Sequence, residues 1–447
     1  ANLKAVPFEY TLLGQSPQPW QPEDSILTVF SMILVLQDDQ GWFERTRGTM
    51  KDALPADLYT FFTQQGGQWD APLVESEITG SSLAAAPLPT TGWADLLPES
   101  TAMAYVPMVS EDVVVGSNNW AVSGSKTKSG RPILCSDPHL GLNLPSLWYE
   151  MQITTPDCNT YGATFPGAPA VIIGFNDSCV WGVTNSGRDV KDFYEIQFKD
   201  STMQQYWFDS AWKNTTFRKE IIKVKGKPDV VENIAMTLFG PVMYDNKFAA
   251  KDNAGKYYAV RWKAHDASNE LKTFYKLNRA KNVVEYNDAI STYQCPGQNF
   301  VMATKTGDIA IKQQGSFVAR WERQGDFIMP GEDTSFQWQG IIPTNENPMI
   351  KNPERGFVSS ANQKSTDASY PYYLGAASAF PLYRGISVNM HLNNMFQITA
   401  EDMQKLQTDN YNVFAATARP ALMKYIQLDN LSSDAKRMVT EMTNWDL

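Results

Sequence analysis

Histidine is scarce in this chain, with three in 447 residues (His139, His265 and His391). There is no H-E-x-x-H pair and no G-x-S-x-G elbow, so the zincin and α/β-hydrolase readings both lose support. The four cysteines (Cys135, Cys158, Cys179, Cys295) show no C-x-x-C spacing, which argues against zinc. They could pair in an oxidising compartment, in a pattern sequence does not define, or stay as buried thiols. No run of eighteen or more apolar residues occurs, so no transmembrane segment is expected. Basic excess is missing too. The net charge of −10 argues against nucleic acid or an anionic membrane surface as a partner. No internal repeat or low-complexity stretch is visible. No signal peptide opens the chain, and Ala1-Asn2-Leu3-Lys4 reads as mature or mid-protein sequence.

What is present describes a globular protein with a large core: 43% hydrophobic and 19% charged residues. The length suits two or three closely packed units. Thirteen tryptophans and nineteen tyrosines fit aromatic packing or a carbohydrate-binding face. Residues 1–79 read as mainly helical. Pro22-Glu23-Asp24 is a helix start, and the run Ile26 to Leu36 is apolar nearly all round, which predicts a buried helix. Residues 80–116 are small, proline-containing and weakly patterned, the chemistry of a spacer. From 117 onward short apolar runs alternate with Gly, Pro, Asn and Asp turns and read as strands. These include 120–122, 133–134, 171–173, 180–183, 220–224 and 257–262. Helical spacing returns over 270–292, strands over 295–320, and a capping-box-like helix start at Thr399-Ala400-Glu401-Asp402.

Four segments fit one chemistry. Gly116-Ser117-Asn118-Asn119-Trp120 follows a valine run. Asp137-Pro138-His139-Leu140-Gly141 lies about twenty residues on. Trp181-Gly182-Val183-Thr184-Asn185 precedes Asp189 and Asp192, and Gln298-Asn299-Phe300 follows later. Taken alone, Gly-Ser-Asn is a strand end with a polar turn. Together, and with Leu12-Leu13-Gly14, Pro19-Trp20, Trp338-Gln339-Gly340-Ile341-Ile342-Pro343 and Asn352-Pro353-Glu354-Arg355-Gly356-Phe357-Val358, the set resembles the penicillin acylase family of N-terminal-nucleophile hydrolases. The resemblance runs from about Leu12 to Trp445. It implies an α+β fold with a four-layer αββα sandwich, preceded by a helical α-subunit portion (1–79) and a spacer (80–116), with 117–447 as the β-subunit portion. The ends of the usual family precursor are expected to be missing from this chain.

The resemblance implies a linear N-acyl amide hydrolase, periplasmic or secreted, matured into an α/β heterodimer when the Gly116–Ser117 bond cuts itself. A serine hydroxyl needs a base. A free α-amine, with a pKa of about 7.7–8.0, supplies one near neutral pH. Ser117 is then nucleophile and base. Asn299 and the main-chain N–H of Asn185 are oxyanion donors. His139 orients the serine, and Arg320 holds Asn299 or polarises the site. Glu44 (after a one-residue adjustment), Asp189, Lys191 through its carbonyl, Asp192 and, more weakly, Asp308 would hold one structural Ca²⁺, whose preference is for oxygen donors. Leu140, Ile173, Ile33 and Gln37 are candidate acyl-pocket positions. Aliphatics there point to an aliphatic acyl group more than to phenylacetyl. Substrates would be small N-acyl compounds such as β-lactam amides, acyl-homoserine lactones or acylated peptides. Competing readings are a non-catalytic glycan- or ligand-binding protein and a family member that has lost maturation.

Overall fold

Side chains alternate across three strands, and that alternation sets the layers. Trp120 and Val122 face one way and Ala121 the other. Phe300 and Met302 oppose Val301 and Ala303, and Phe357 opposes Val358. Every one of these residues is buried, so the apolar part of each strand is covered on both faces. The structure is a computed structural model and describes residues 6–37, 41–63, 72–73, 116–247, 255–367, 369–375, 380 and 382–446.

Two sheets lie face to face. One has seven strands in the order Met349–Lys351, Ile309–Gln314, Gln298–Thr304, Cys179–Asn185, Ile173–Asn176, Cys158–Thr164 and Tyr149–Thr155. The other has three: Ile133–Pro138, Ser117–Val122 and Phe357–Ser360. All pairings in both are antiparallel. Ala121, Val301, Ala303, Ile309, Ile311 and Val358 fill the space between the sheets. The helices Glu270–Leu277 and Val283–Ile290 cover the outer face of the larger sheet, packing Phe274, Leu277, Tyr286 and Ile290 on Trp181, Phe300 and Met302. The helices Tyr383–Asn394 and Ala400–Gln407 cover the smaller one, setting Val388, Leu392 and Met403 on Trp120, Val122 and Phe357. The expected helix, sheet, sheet, helix order is therefore present. A further six-stranded sheet carries Lys191–Ile196 and Tyr257–Trp262.

Among the described residues before Ser117 lie the helices Phe8–Leu13, Pro22–Gln37, Trp42–Ala53 and Ala56–Phe62. Pro22–Gln37 starts where expected but is not buried all round. Val29, Met32 and Ile33 are buried, whereas Leu27, Leu34 and Val35 are more than half exposed. Only one stripe of the helix meets the sheets, and an apolar sequence alone does not say how many faces find partners. Its last carbonyls are satisfied from the other half of the chain. The Asn185 side-chain amide donates to Leu36 O at 3.1 Å and Lys191 Nζ to Gln37 O at 2.6 Å, closing groups a helix end leaves open. The 171–173 run is not all strand: the strand begins at Ile173. The 270–292 stretch is two helices, each capped by an asparagine side chain, Asn269 and Asn282. The Thr399 capping box is present, with Asp402 as its acid. The four cysteines are free and buried. The spacer over 80–115 lies outside the described residues. Among the described residues, no helix is long and apolar enough to cross a membrane.

Candidate active site

Ser117 opens the strand Ser117–Val122 and is 6% exposed. Its strand pairs with Ile133–Pro138 in a register that sets Ser117 against Pro138. The next residue, His139, is thereby brought to the carbonyl of Gly116, and its main-chain N–H donates to that oxygen at 2.9 Å. The Ser117 hydroxyl donates to the same oxygen at 2.6 Å. The His139 imidazole turns elsewhere. Its Nε2 pairs with Asp137 Oδ2 at 2.9 Å and lies 3.4 Å from Asn118 Nδ2. His139 therefore reaches the scissile segment through its backbone, and its side chain does not touch the serine.

A polar network, largely invisible in the sequence, surrounds the main chain of Ser117. Its N–H donates to Asn362 Oδ1 at 2.6 Å. Asn362 Nδ2 donates to Asn185 O at 2.8 Å. Arg384 reaches in from the Tyr383–Asn394 helix. Its Nη1 donates to Ser117 O at 2.9 Å and to Asn118 Oδ1 at 2.7 Å, and its Nη2 to Asn362 Oδ1 at 2.9 Å. Burial pulls the Arg384 guanidinium below its usual pKa, and the charge of Asp137 opposes that pull. Gly116 is needed here for space. A Cβ on it would stand 2.4 Å from Arg384 Nη2 and 3.0 Å from Asn362 Oδ1.

Asn299 is fully buried in the strand Gln298–Thr304, opposite Thr184. Its Nδ2 donates to Thr184 Oγ1 and Ser360 Oγ, each at 3.1 Å, and to Asn185 O at 3.4 Å, while Oδ1 has no partner. The donor expected to stand free for an oxyanion is thus turned into the protein. Two hydrogen bonds to the carbonyl of Asn185, from Asn299 and from Asn362, tie this amide to Ser117. Asn119 adds a third connection, its Nδ2 donating to Asn299 O at 3.4 Å.

Ser117 and Asn185 line one cavity of about 60 Å³. The rest of its wall is mostly apolar. Val29, Met32 and Leu36 come from the Pro22–Gln37 helix, Leu140 from the segment after Ile133–Pro138, and Trp148 and Phe165 from the ends of Tyr149–Thr155 and Cys158–Thr164. Ile172, Ile173, Phe274 and Tyr293 come from the far side. Leu140 and Ile173 therefore line the cavity that Ser117 borders. Ile33 and Gln37 do not. Ile33 packs in a separate cluster with Val190, Phe193 and Trp262, and Gln37 Oε1 accepts from Trp262 Nε1 at 3.2 Å. On a helix these positions face about 100° away from Met32 and Leu36, which sequence spacing could not orient. The walls are not purely aliphatic either, because Trp148 and Phe165 pack with centroids 4.7 Å apart, their rings tilted by 31°.

Arg320 does not hold Asn299. Its Nη1 binds Asp192 Oδ1 at 2.7 Å, Asp189 Oδ2 at 3.3 Å and Gln324 O at 3.0 Å. All three side chains are buried, and Gly325 leaves room for the contact, since a Cβ there would overlap Arg320 Nη1. Burial disfavours the Arg320 charge, but Asp189 and Asp192 outweigh it and hold the pKa above its ordinary value. Trp338 Nε1 donates to the second oxygen of Asp192. Lys191 directs Nζ to Gln37 O. Glu44 is buried in the first turn of its helix. Asp308 belongs to a different place, the turn after Gln298–Thr304, where it pairs with Lys351 at 3.1 Å and accepts from Asn352. Among the described residues, no three His, Cys, Asp or Glu side chains gather to hold a metal. As arranged, the expected calcium donors do not fit an ion: a guanidinium already stands between the two aspartates.

A penicillin amidase family model matches residues 1–447. The chain is similar to an acyl-homoserine lactone acylase, QuiP, of Pseudomonas aeruginosa, 26% identical over 423 residues, covering 92% of this chain and 48% of that protein. It is also similar to the penicillin acylase 2 proenzyme of a Pseudomonas species, 26% identical over 427 residues, covering 93% and 52%. The chain spans about half the length of these curated relatives. Among solved structures, a thermostable penicillin G acylase from Alcaligenes faecalis superposes with a TM-score of 0.61 at 24% identity, over 74% of this chain and 59% of that one. That likeness establishes the shared fold.

Proposed function

The chain belongs to the penicillin amidase family, and from that premise we propose that it hydrolyses a linear N-acyl amide through Ser117, freed as an N-terminal residue by self-scission after Gly116. The observation that carries this is a single one. The Ser117 hydroxyl borders an apolar cavity on one side and sits 2.6 Å from the Gly116 carbonyl oxygen on the other.

In the first reaction, Ser117 Oγ adds to the Gly116 carbonyl carbon. Negative charge then grows on an oxygen already held by the His139 N–H, the kind of preorganised donor that lowers such barriers. The hydroxyl proton passes to the Ser117 nitrogen as the C–N bond breaks and the acyl group moves to Oγ as an ester, and water then cleaves that ester to give the Gly116 carboxylate and restore the Ser117 hydroxyl beside its free amine. In the second reaction, that amine takes the hydroxyl proton as Oγ attacks the substrate carbonyl. The amine of the substrate leaves with a proton, and water cleaves the acyl-serine. The Asn185 N–H and the Asn299 amide are the proposed oxyanion donors. To serve there, Asn299 Nδ2 would exchange one of its present acceptors, Thr184 Oγ1, Ser360 Oγ or Asn185 O, for the oxyanion.

The acyl group would lie among Met32, Leu36, Leu140 and Ile173, with Trp148 and Phe165 as an aromatic wall. The names of the relatives, acyl-homoserine lactone acylase and penicillin acylase, support small N-acyl amide substrates. Family membership supports a periplasmic or secreted setting and an α/β heterodimer, which the ties from Leu36 and Gln37 to Asn185 and Lys191 would hold together. We further propose that Arg320 supplies the positive charge at Asp189 and Asp192 that calcium was expected to supply. Intact-mass measurement of the purified protein, with and without Ser117→Ala, followed by an N-acyl amide panel, tests the reading. An uncut wild-type chain without turnover would overturn it and favour the binding-protein or maturation-defective alternatives.

A further inference from the structure

Asn362 has a backbone φ of +67°, in the left-handed region that asparagine tolerates better than most residues. This conformation carries its amide under Ser117. The orientation of that amide is determined by its partners. Two donors, Ser117 N–H and Arg384 Nη2, point at one terminal atom, and one acceptor, Asn185 O, faces the other. Oxygen must occupy the first position and nitrogen the second. The asparagine therefore has no spare rotation, and neither has the nitrogen of Ser117. A guanidinium sits on the same oxygen, 2.9 Å away, and on the Ser117 carbonyl as well.

We propose that Asn362 and Arg384 are positioning residues for the nitrogen of Ser117, first holding the bond that is cut and then keeping the freed α-amine oriented and unprotonated. This rests on the reading of Ser117 as an N-terminal nucleophile. Before scission, the Asn362 oxygen and the Arg384 bond to Ser117 O fix the peptide units on both sides of the serine Cα, so Oγ stays over the Gly116 carbonyl. After scission, the amine keeps one N–H on Asn362 Oδ1, and its lone pair is left for the hydroxyl proton. A nearby cation disfavours the ammonium form, which lowers the pKa of an amine. One carboxylate acts on the same cluster and opposes the effect, since the charge of Asp137 reaches Arg384. On the neighbouring strand Asp137 is paired with His139. The side chains that contact the site from Phe357–Ser360 and Cys179–Asn185 are Ser360, Thr184 and Asn185, which carry no charge. Tyr293, across the cavity, keeps its proton because burial, with the charge of Glu270 adding to it, pushes its pKa well up.

The test follows scission and the pH profile of kcat/KM in the full-length protein for wild type, Arg384→Gln, Arg384→Lys and Asn362→Ala. The active amine is neutral, so removing the cation should raise its pKa and move the acid limb to higher pH. Arg384→Gln is expected to move it by roughly one pH unit. Arg384→Lys should keep the limb near its wild-type position while slowing scission, because the charge remains and the forked contact does not. Asn362→Ala should slow scission by roughly tenfold or more. If Arg384→Gln folds, with wild-type circular dichroism, but stays uncut, its role at the bond is supported, and Arg384→Lys supplies the pH comparison. A cut, active Arg384→Gln with an unmoved acid limb overturns the inference and leaves the acylase reading intact. So does Arg384→Lys carrying the same displaced limb as Arg384→Gln. A wild-type chain that is never cut and never hydrolyses an amide overturns the acylase reading itself, whatever the variants do.

Discussion

The main-chain N–H of His139 donates to the carbonyl oxygen of Gly116 at 2.9 Å, while the imidazole of the same residue pairs with Asp137. A residue that looks like a catalytic histidine thus contributes through an atom every non-proline residue has. The antiparallel register of Ser117 against Pro138 delivers it.

His139→Ala should therefore be cut and active, slower by less than about fivefold, because the half-exposed ion pair it removes is worth about 0–1 kcal/mol. His139→Pro deletes the N–H itself and should slow scission by roughly 10²–10³-fold, the usual cost of one oxyanion donor. The fragment ratio against time after expression distinguishes the two. Equal slowing in both variants would return the role to the imidazole.

Gly116→Ala should retard scission without unfolding the protein. The added methyl meets Arg384 Nη2 at 2.4 Å, and that flexible side chain can retreat only by giving up its bonds to Ser117 O, Asn118 and Asn362. Because both changes act on one contact, Gly116→Ala and Arg384→Ala should be non-additive, with a coupling of roughly 0.5–3 kcal/mol in the barrier to scission. Strict additivity would mean that glycine is present for another reason.

Arg320→Ala leaves two buried carboxylates without their cation and should destabilise the fold by roughly 3–5 kcal/mol, read as a lowered denaturant midpoint. Wild type should show the same melting temperature with added calcium or a chelator. A calcium-dependent rise in the wild-type melting temperature would restore the metal to this site.

Met32→Ala enlarges the cavity from the side of the Pro22–Gln37 helix and should shift kcat/KM toward longer acyl chains. Ile173→Phe should shift it toward shorter ones. Each methylene gained or lost in such a pocket is worth about 1–3 kcal/mol. An acyl-length series on the matured protein reads the shift directly. Ile33→Ala, beyond the pocket wall, should leave the acyl preference unchanged.

Sequence by itself determined the local and the stereotyped. The double-faced apolar runs at 120–122, 300–303 and 357–358 encode strands buried on both sides, and with them the layered fold. The order of Gly116-Ser117, Asp137-Pro138-His139, Trp181 to Asn185 and Gln298-Asn299 encodes the family. Leu140 and Ile173, candidates through the family resemblance, both line the cavity beside Ser117. What sequence could not orient was direction. A helix rotates successive side chains by about 100°, so whether Met32 or Ile33 meets the cavity depends on how Pro22–Gln37 docks. Arg320 and Arg384 each stand in a largely apolar segment, and only packing sends the first to Asp189 and Asp192 and the second to Ser117. Asn362 lies 245 residues from the serine it holds. The one advance sign was the polar pair Asn362-Gln363 just after the buried strand Phe357–Ser360. Contacts of that range belong to tertiary structure because long, flexible side chains choose their partners only after the sheets and helices have met.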